Sequence, residues 1–175
     1  AVARQAPVSV RTIFASAPRL VAICEEVRDP GNLGTIIRAA DAAGADAVVL
    51  TGRTVDLYNP KVVRSTTGSL FHLPIAVGAN LADVVERAHA VDVQVLAADV
   101  KGSDLLDARA SGVLAEPSAW LFGNEARGLE ASALDLADRV LRLPIFGRAE
   151  SLNLATAASV CLYESAIAQH EAERI

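Results

Sequence analysis

Short, unbroken apolar runs recur along this chain with helical stretches between them, and that alternation restricts the fold more than any other feature. LVAICEEV (20–27), DAVVL (46–50), VQVLAAD (93–99), AWLFGN (119–124) and RVLRLPI (139–145) read as strands. Strands that are apolar on both faces belong to a parallel sheet covered by helices above and below. Helices are expected from the Asp29-Pro30-Gly31 turn to about Gly44, near 60–66 ahead of LFHLPIAV, over 80–90, and from Ser151 to about Glu171, a stretch free of Pro and Gly. The fold class is therefore α/β, with a mostly parallel sheet flanked by helices.

In such a sheet, ligands bind beyond the carboxyl ends of the strands. Three segments sit where a strand gives way to a loop or helix: Asn32–Arg38 (NLGTIIR), Gly123–Leu129 (GNEARGL) and Leu143–Asn153 (LPIFGRAESLN). In the first, Asn32 is a candidate helix cap after the turn. Arg38, six residues on, is on another helix face, so joint action puts Asn32 in the preceding loop and Arg38 in the second turn. In the second, Gly123 directly follows a strand and permits close backbone approach to a ligand. Glu125 accepts from a ligand, orients Arg38, or caps a helix starting near Gly128. In the third, the strand ends at Pro144, Gly147 lies in the loop, and Ser151 is a plausible N-cap. Capping does not also require Asn153, and a polar pair at a helix mouth suits a charged or polar ligand.

The remaining signals mostly exclude. With 175 residues, 52% hydrophobic content and a mean hydropathy of +0.34, one folded domain is expected. No run reaches the 18 or so apolar residues of a membrane span, and AVARQAPVSVRTIF lacks the apolar stretch of a signal peptide. A net charge of −5 argues against coating nucleic acid by charge alone. All basic residues but Lys61 and Lys101 are Arg, the better phosphate ligand, although coding bias explains that equally well. Arg53, Lys61 and Arg64 read first as a solvated face, with an RNA-phosphate contact as the alternative. His72, His89 and His170 show no metal-ligand spacing, so no metal is expected. Cys24 and Cys161, far apart in apolar contexts, read as buried free thiols of a reducing cytoplasm. GxGxxG, GxxxxGK[ST] and GxSxG are absent. The chain has no Met and opens on Ala, which reads as a fragment or processed form. Residues 1–18, punctuated by Pro7 and Pro18, are expected to be a linker remnant and a short extended piece, and 19–175 the functional domain.

Taken together, the three segments resemble the SpoU (TrmH-like) family of RNA ribose 2′-O-methyltransferases, within the SPOUT superfamily, from about Leu20 to Ser165. The family's first motif corresponds to Asn32, Gly34 and Arg38. Its second, G-x-E-x-x-G, corresponds to Gly123, Glu125 and Gly128, and its third to Pro144, Gly147, Ser151, Leu152 and Asn153. Leu143-Pro144-Ile145-Phe146 replaces the more usual Ile-Pro-Met and keeps its apolar character.

The resemblance implies a C-terminal trefoil knot, a rare exception to unknotted chains, with S-adenosylmethionine bound in it. Gly123, Leu143 and Leu152 would contact the cofactor, and Ile145 with Leu96, Ala97 and Ala98 would line the adenine pocket. It implies a homodimer in which the helix from Ser151 crosses the two-fold axis, and an RNA substrate, ribosomal or transfer RNA, with ribosomal RNA favoured. An N-terminal RNA-binding domain is expected upstream of residues 1–18. In the implied chemistry a ribose 2′-hydroxyl attacks the cofactor's methyl group. The resemblance makes Arg38 the base that activates the hydroxyl; because a guanidinium stays protonated, stabilising the developing alkoxide as a fixed cation is the alternative role. Asn32 positions the ribose or phosphate, Glu125 orients Arg38 or Asn32, and Ser151 and Asn153 complete the polar wall. A catalytically inactive knotted RNA-binding protein and a dinucleotide-binding domain are the alternatives.

Overall fold

The computed structural model describes residues 7–174, so residues 1–6 of the expected linker lie outside the described residues. Six strands form one sheet: β1 Leu20–Glu25, β2 Ala47–Thr51, β3 Ile75–Ala79, β4 Gln94–Asp104, β5 Ser118–Phe122 and β6 Arg139–Arg142. Their order is β3-β2-β1-β5-β4-β6, and every pair is parallel, in accord with the expected α/β class. Because β1 and β5 are neighbours, the turn after β1 and the loop after β5 emerge side by side at the carboxyl edge. That places the first two sequence segments next to each other.

Alternation along the central strands feeds two cores. Ala22, Cys24, Leu96, Trp120 and Phe122 face α2 (Pro30–Ala42) and α7 (Leu154–Ala172). Val21, Ile23, Val95, Ala97 and Leu121 face α1 (Val10–Phe14) and α4 (Leu81–His89). Trp120 stacks on Phe122 with ring centroids 6.2 Å apart. Its indole N–H donates to Ser165 Oγ of α7 at 2.8 Å, so the buried polar atom is satisfied and α7 is held to the sheet.

α2 and α7 run side by side in the same direction. Asn153 meets Asn32 at their first turns, and Tyr163 Oη donates to the Ala42 carbonyl near the far end of α2, each pair 121 residues apart. α3 (Pro60–Ser65) crosses α2 at Gly34, where a Cβ would lie 1.8 Å from Ser65 Oγ, and α5 (Leu105–Ala110) follows β4. On the outer side of α7, Val160, Tyr163 and Ile167 form an exposed apolar stripe at helical spacing. Among the described residues no helix is long and apolar enough to cross a membrane.

Four local expectations change. Residues 10–14 are helical rather than extended: Ser9 accepts from Thr12 N, and Ile13 and Phe14 bury themselves in the second core. β4 does not stop at Asp99 but continues to Asp104, with a register break between Ala98 and Ser103 opposite β6. β6 ends at Arg142 rather than at Ile145, ahead of Pro144, which has no N–H for the ladder. α7 starts at Leu154, not Ser151, because Asn153 is its cap.

Candidate functional site

The polar centre is built at the mouths of α2 and α7. Asp29, not Asn32, caps α2: its carboxylate accepts the Asn32 backbone N–H at 2.7 Å, and Pro30 occupies the first turn, where no N–H is needed. Asn32 therefore lies in the first turn of α2 rather than in the preceding loop, with its side chain free to leave the helix. Its Nδ2 donates to Glu125 Oε1 at 3.4 Å and its Oδ1 accepts from Asn153 Nδ2 at 3.0 Å. Glu125 also accepts the backbone N–H groups of Arg28 at 3.1 Å and Asp29 at 2.9 Å. It thus fastens the β5 loop to the entry of α2 and, among the described residues, hydrogen-bonds neither to Arg38 nor to the short helix α6 (Ala131–Leu134).

The direction of this relay is fixed from its ends. Asn153 Oδ1 accepts from Ala155 N at 2.9 Å and Thr156 N at 3.3 Å, so only its NH₂ can face Asn32. Asn32 must then present its oxygen to Asn153 and its NH₂ to the carboxylate. Asn153 does the capping that Ser151 was expected to do. Ser151 is left exposed at the cleft with no hydrogen-bond partner among the described residues.

Beside this centre lies a cleft of about 390 Å³. Ala98, Leu141, Leu143, Ile145, Leu152 and Leu154 give it apolar walls, and Asp99, Asn124, Glu125 and Ser151 add polar groups. Of the expected cofactor contacts, Ala98, Leu143, Ile145 and Leu152 line it. Leu96 and Ala97 do not, being fully buried inside β4. Gly123 does not line it either: a Cβ there would lie 2.6 Å from the Gly128 carbonyl carbon, so the close approach it permits is of the loop to itself. Asn124 and Gly128 exchange backbone hydrogen bonds at 3.1 and 2.8 Å, which closes that loop. Asp99, Val100 and Lys101 reach the cleft from the β4 bulge and were not anticipated. Gly102 in an apolar-to-polar transition was the only sequence signal for them.

Arg38 is not brought into this group. It lies about 9 Å along α2 from Asn32 at the usual helical rise, exposed, and without a hydrogen bond or carboxylate partner among the described residues. A second cleft of about 350 Å³ opens on the other face, between Glu25, Gly52, Asn80 and Arg127. It shares Asn124, Arg127 and Gly128 with the first, so the β5 loop is the septum between them.

Burial, with a smaller contribution from the Glu125 charge, pushes the Cys24 thiol under the site up to about 12. Cys161 rises to about 12 mainly through burial too. Both thiols are free and buried, and at neutral pH neither is a nucleophile. His72, His89 and His170 each pair with a carboxylate, of Asp41, Asp138 and Glu173. Among the described residues no cluster of three or more His, Cys, Asp or Glu is placed to hold a metal.

The chain as a whole is similar to known proteins. A family model described as SpoU rRNA methylase matches residues 19–163. The 23S rRNA (guanosine(2553)-2′-O)-methyltransferase RlmP of Bacillus subtilis is 43% identical over 146 residues, covering 83% of this chain and 57% of that protein. A 23S rRNA (uridine(2479)-2′-O)-methyltransferase of Streptomyces viridochromogenes is 40% identical, covering 78% of this chain and 48% of that protein. The crystal structure of an AdoMet-bound rRNA methyltransferase from Sinorhizobium meliloti superposes with a TM-score of 0.80 at 39% identity, over 92% of this chain and 60% of that one. The chain thus spans about half the length of the curated relatives it matches.

Proposed function

The chain belongs to the SpoU rRNA methylase family, and on that footing we propose that it is the catalytic part of an S-adenosylmethionine-dependent RNA ribose 2′-O-methyltransferase acting on ribosomal RNA. The observation that carries this reading is the relay Glu125–Asn32–Asn153 at the lip of the cleft: three polar side chains from three distant segments, held in one orientation. A merely structural cap at Asn153 would not need Asn32, and a dinucleotide-binding domain would need neither. An inactive RNA-binding relic would have no reason to keep the relay.

The cleft fits the cofactor's chemistry. Leu143, Ile145, Leu152 and Ala98 offer apolar surface to a purine, and Glu125, Asp99 and Ser151 offer acceptors to a ribose or an amino acid end. When bound, the cofactor supplies an electrophilic methyl group. Asn32, held from both sides, positions the target ribose or its phosphate. Arg38 provides a fixed positive charge for the alkoxide that develops at the 2′-oxygen as its proton passes to solvent water. Its distance from Asn32 along α2 fits a second copy of the chain closing the site. Tyr163 of the apolar stripe reaches Ala42, one turn beyond Arg38, so a partner seated on Val160, Tyr163 and Ile167 also covers the neighbourhood of Arg38. A homodimer across α7 is therefore part of the proposal. So are the trefoil knot, supported by the return of the chain from edge strand β6 to α7 against β1 and β5, and a cytoplasmic location, supported by the two free thiols.

Calorimetric titration with S-adenosylhomocysteine tests the reading. One site per protomer is expected. No binding, in a folded chain, overturns it in favour of the inactive relic.

A further inference from the structure

Acidic residues number 21 in this chain, yet residues 57–82 contain none, while holding Lys61, Arg64 and His72. The fold lays residues 57–72 along α2 from its mouth to its end. At the start, Lys61 Nζ is 3.8 Å from Asp29 Oδ2, next to Asn32 of the relay. In the middle, Ser65 packs on Gly34 and donates to the Pro30 carbonyl at 3.2 Å. At the far end, His72 Nδ1 is 2.8 Å from Asp41 Oδ2. Lys61, Arg64 and His72 are all exposed. Arg64 has no carboxylate partner among the described residues. The two acids of α2 that border the line are already engaged. Asp29 caps its helix and pairs with Lys61. Hydrogen bonds from Ser69 and His72 hold the Asp41 carboxyl below its ordinary range.

One apolar side chain breaks the pattern. The 3₁₀ turn Ser69–Phe71 buries Ser69, while Leu70 and Leu73 pack on the core, yet Phe71 points outward and is 75% exposed. Two exposed basic side chains, Lys61 and Arg64, with one exposed aromatic ring are what single-stranded nucleic acid requires: charge for the backbone and a face for a base.

We propose that this strip, beginning at the Asn32 relay and running along α2 past Arg64 to Phe71 and His72, docks the single-stranded RNA that flanks the target nucleotide. Lys61 and Arg64 meet backbone phosphates, and Phe71 stacks on an unpaired base. This rests on the methyltransferase reading above and adds where the catalytic domain itself holds its substrate, in a chain whose overall charge would repel RNA.

The test is fluorescence anisotropy of a labelled, mixed-sequence, single-stranded oligoribonucleotide against the chain over a salt series, with S-adenosylhomocysteine calorimetry and sedimentation on every variant. Lys61→Ala and Arg64→Ala are each expected to lower the slope of log affinity against log salt by about 0.7. Phe71→Ala is expected to weaken binding about tenfold with the slope unchanged. Arg87→Ala, on α4 across the sheet, should change neither. Wild-type chain that binds S-adenosylhomocysteine but not the oligonucleotide, or variants that bind RNA like wild type, overturns the strip. A shift of oligomeric state in these variants also overturns it, making the surface a protein interface. Failure of S-adenosylhomocysteine binding with RNA binding intact would strike the methyltransferase reading alone.

Discussion

Asn153 donates its side-chain amide to Asn32 at 3.0 Å while its own oxygen holds the first turn of α7. One residue therefore performs two separable tasks, and substitution can part them. Asn153→Asp keeps an acceptor for the Ala155 and Thr156 N–H groups but cannot donate to Asn32. Stability is expected to stay near wild type, and methyl transfer to fall by at least tenfold. Asn153→Ala removes the cap as well, and about 1 kcal/mol of stability with it. Thermal unfolding beside a methyl-transfer assay distinguishes the two variants. Equal activity in Asn153→Asp and wild type would show the contact with Asn32 to be idle.

Arg38→Ala leaves the cleft walls untouched, since Arg38 does not line them. The affinity for S-adenosylhomocysteine is expected to be unchanged while turnover is lost. Near-normal turnover in that variant would remove Arg38 from the mechanism.

Gly34→Ala is expected to destabilise the chain by about 1–3 kcal/mol, the usual cost of overpacking. The new methyl would strike Ser65 Oγ at 1.8 Å and the Val62 carbonyl at 2.8 Å. Adding Ser65→Gly should recover part of the loss and not all of it, because the Val62 contact remains. Chemical denaturation of the single and double variants reads this directly.

Both cysteine thiols are raised from an ordinary 9.0 to about 12. Between those values the unfolded chain releases protons that the native chain retains, so ionisation favours unfolding. The contribution of these groups to stability is complete below pH 9.0 and declines as pH climbs towards about 12. A Cys24→Ala, Cys161→Ala chain should show a shallower alkaline decline in denaturant midpoint. At neutral pH neither thiol should react with an alkylating reagent until the protein is unfolded.

Tyr163→Glu puts a charge in the middle of the Val160–Ile167 stripe without disturbing the core, because the side chain is 44% exposed. If the stripe is the dimer face, sedimentation equilibrium will show a monomer that still binds S-adenosylhomocysteine. A dimer that survives the substitution would move the interface elsewhere.

Strand and helix identities were legible because their signals are local: runs such as VAIC and AWLF need no partner to be recognised, and a long stretch without Pro or Gly announces α7. What escaped depended on distant partners. Asp29 and Asn32 are both good caps, and Glu125, 93 residues from Asn32, takes the Arg28 and Asp29 N–H groups and draws the Asn32 side chain out of the helix. The bulge that brings Asp99–Lys101 to the cleft arises from pairing with β6. Helix α1 is too short to show a period and is fixed by where Ile13 and Phe14 bury. The motifs thus marked segments that meet at one cleft, while the hydrogen-bond partners within it required three dimensions.

The 121 residues between Asn32 and Asn153 also set an order in time. A chain emerging from the ribosome displays Asn32 early and Glu125 much later. The relay stays open until residue 153 and the first turn of α7 are free to fold back beside α2. A growing chain therefore lacks the relay until this helix has emerged, and loss of α7 to a protease would open the relay while leaving every strand of the sheet uncut.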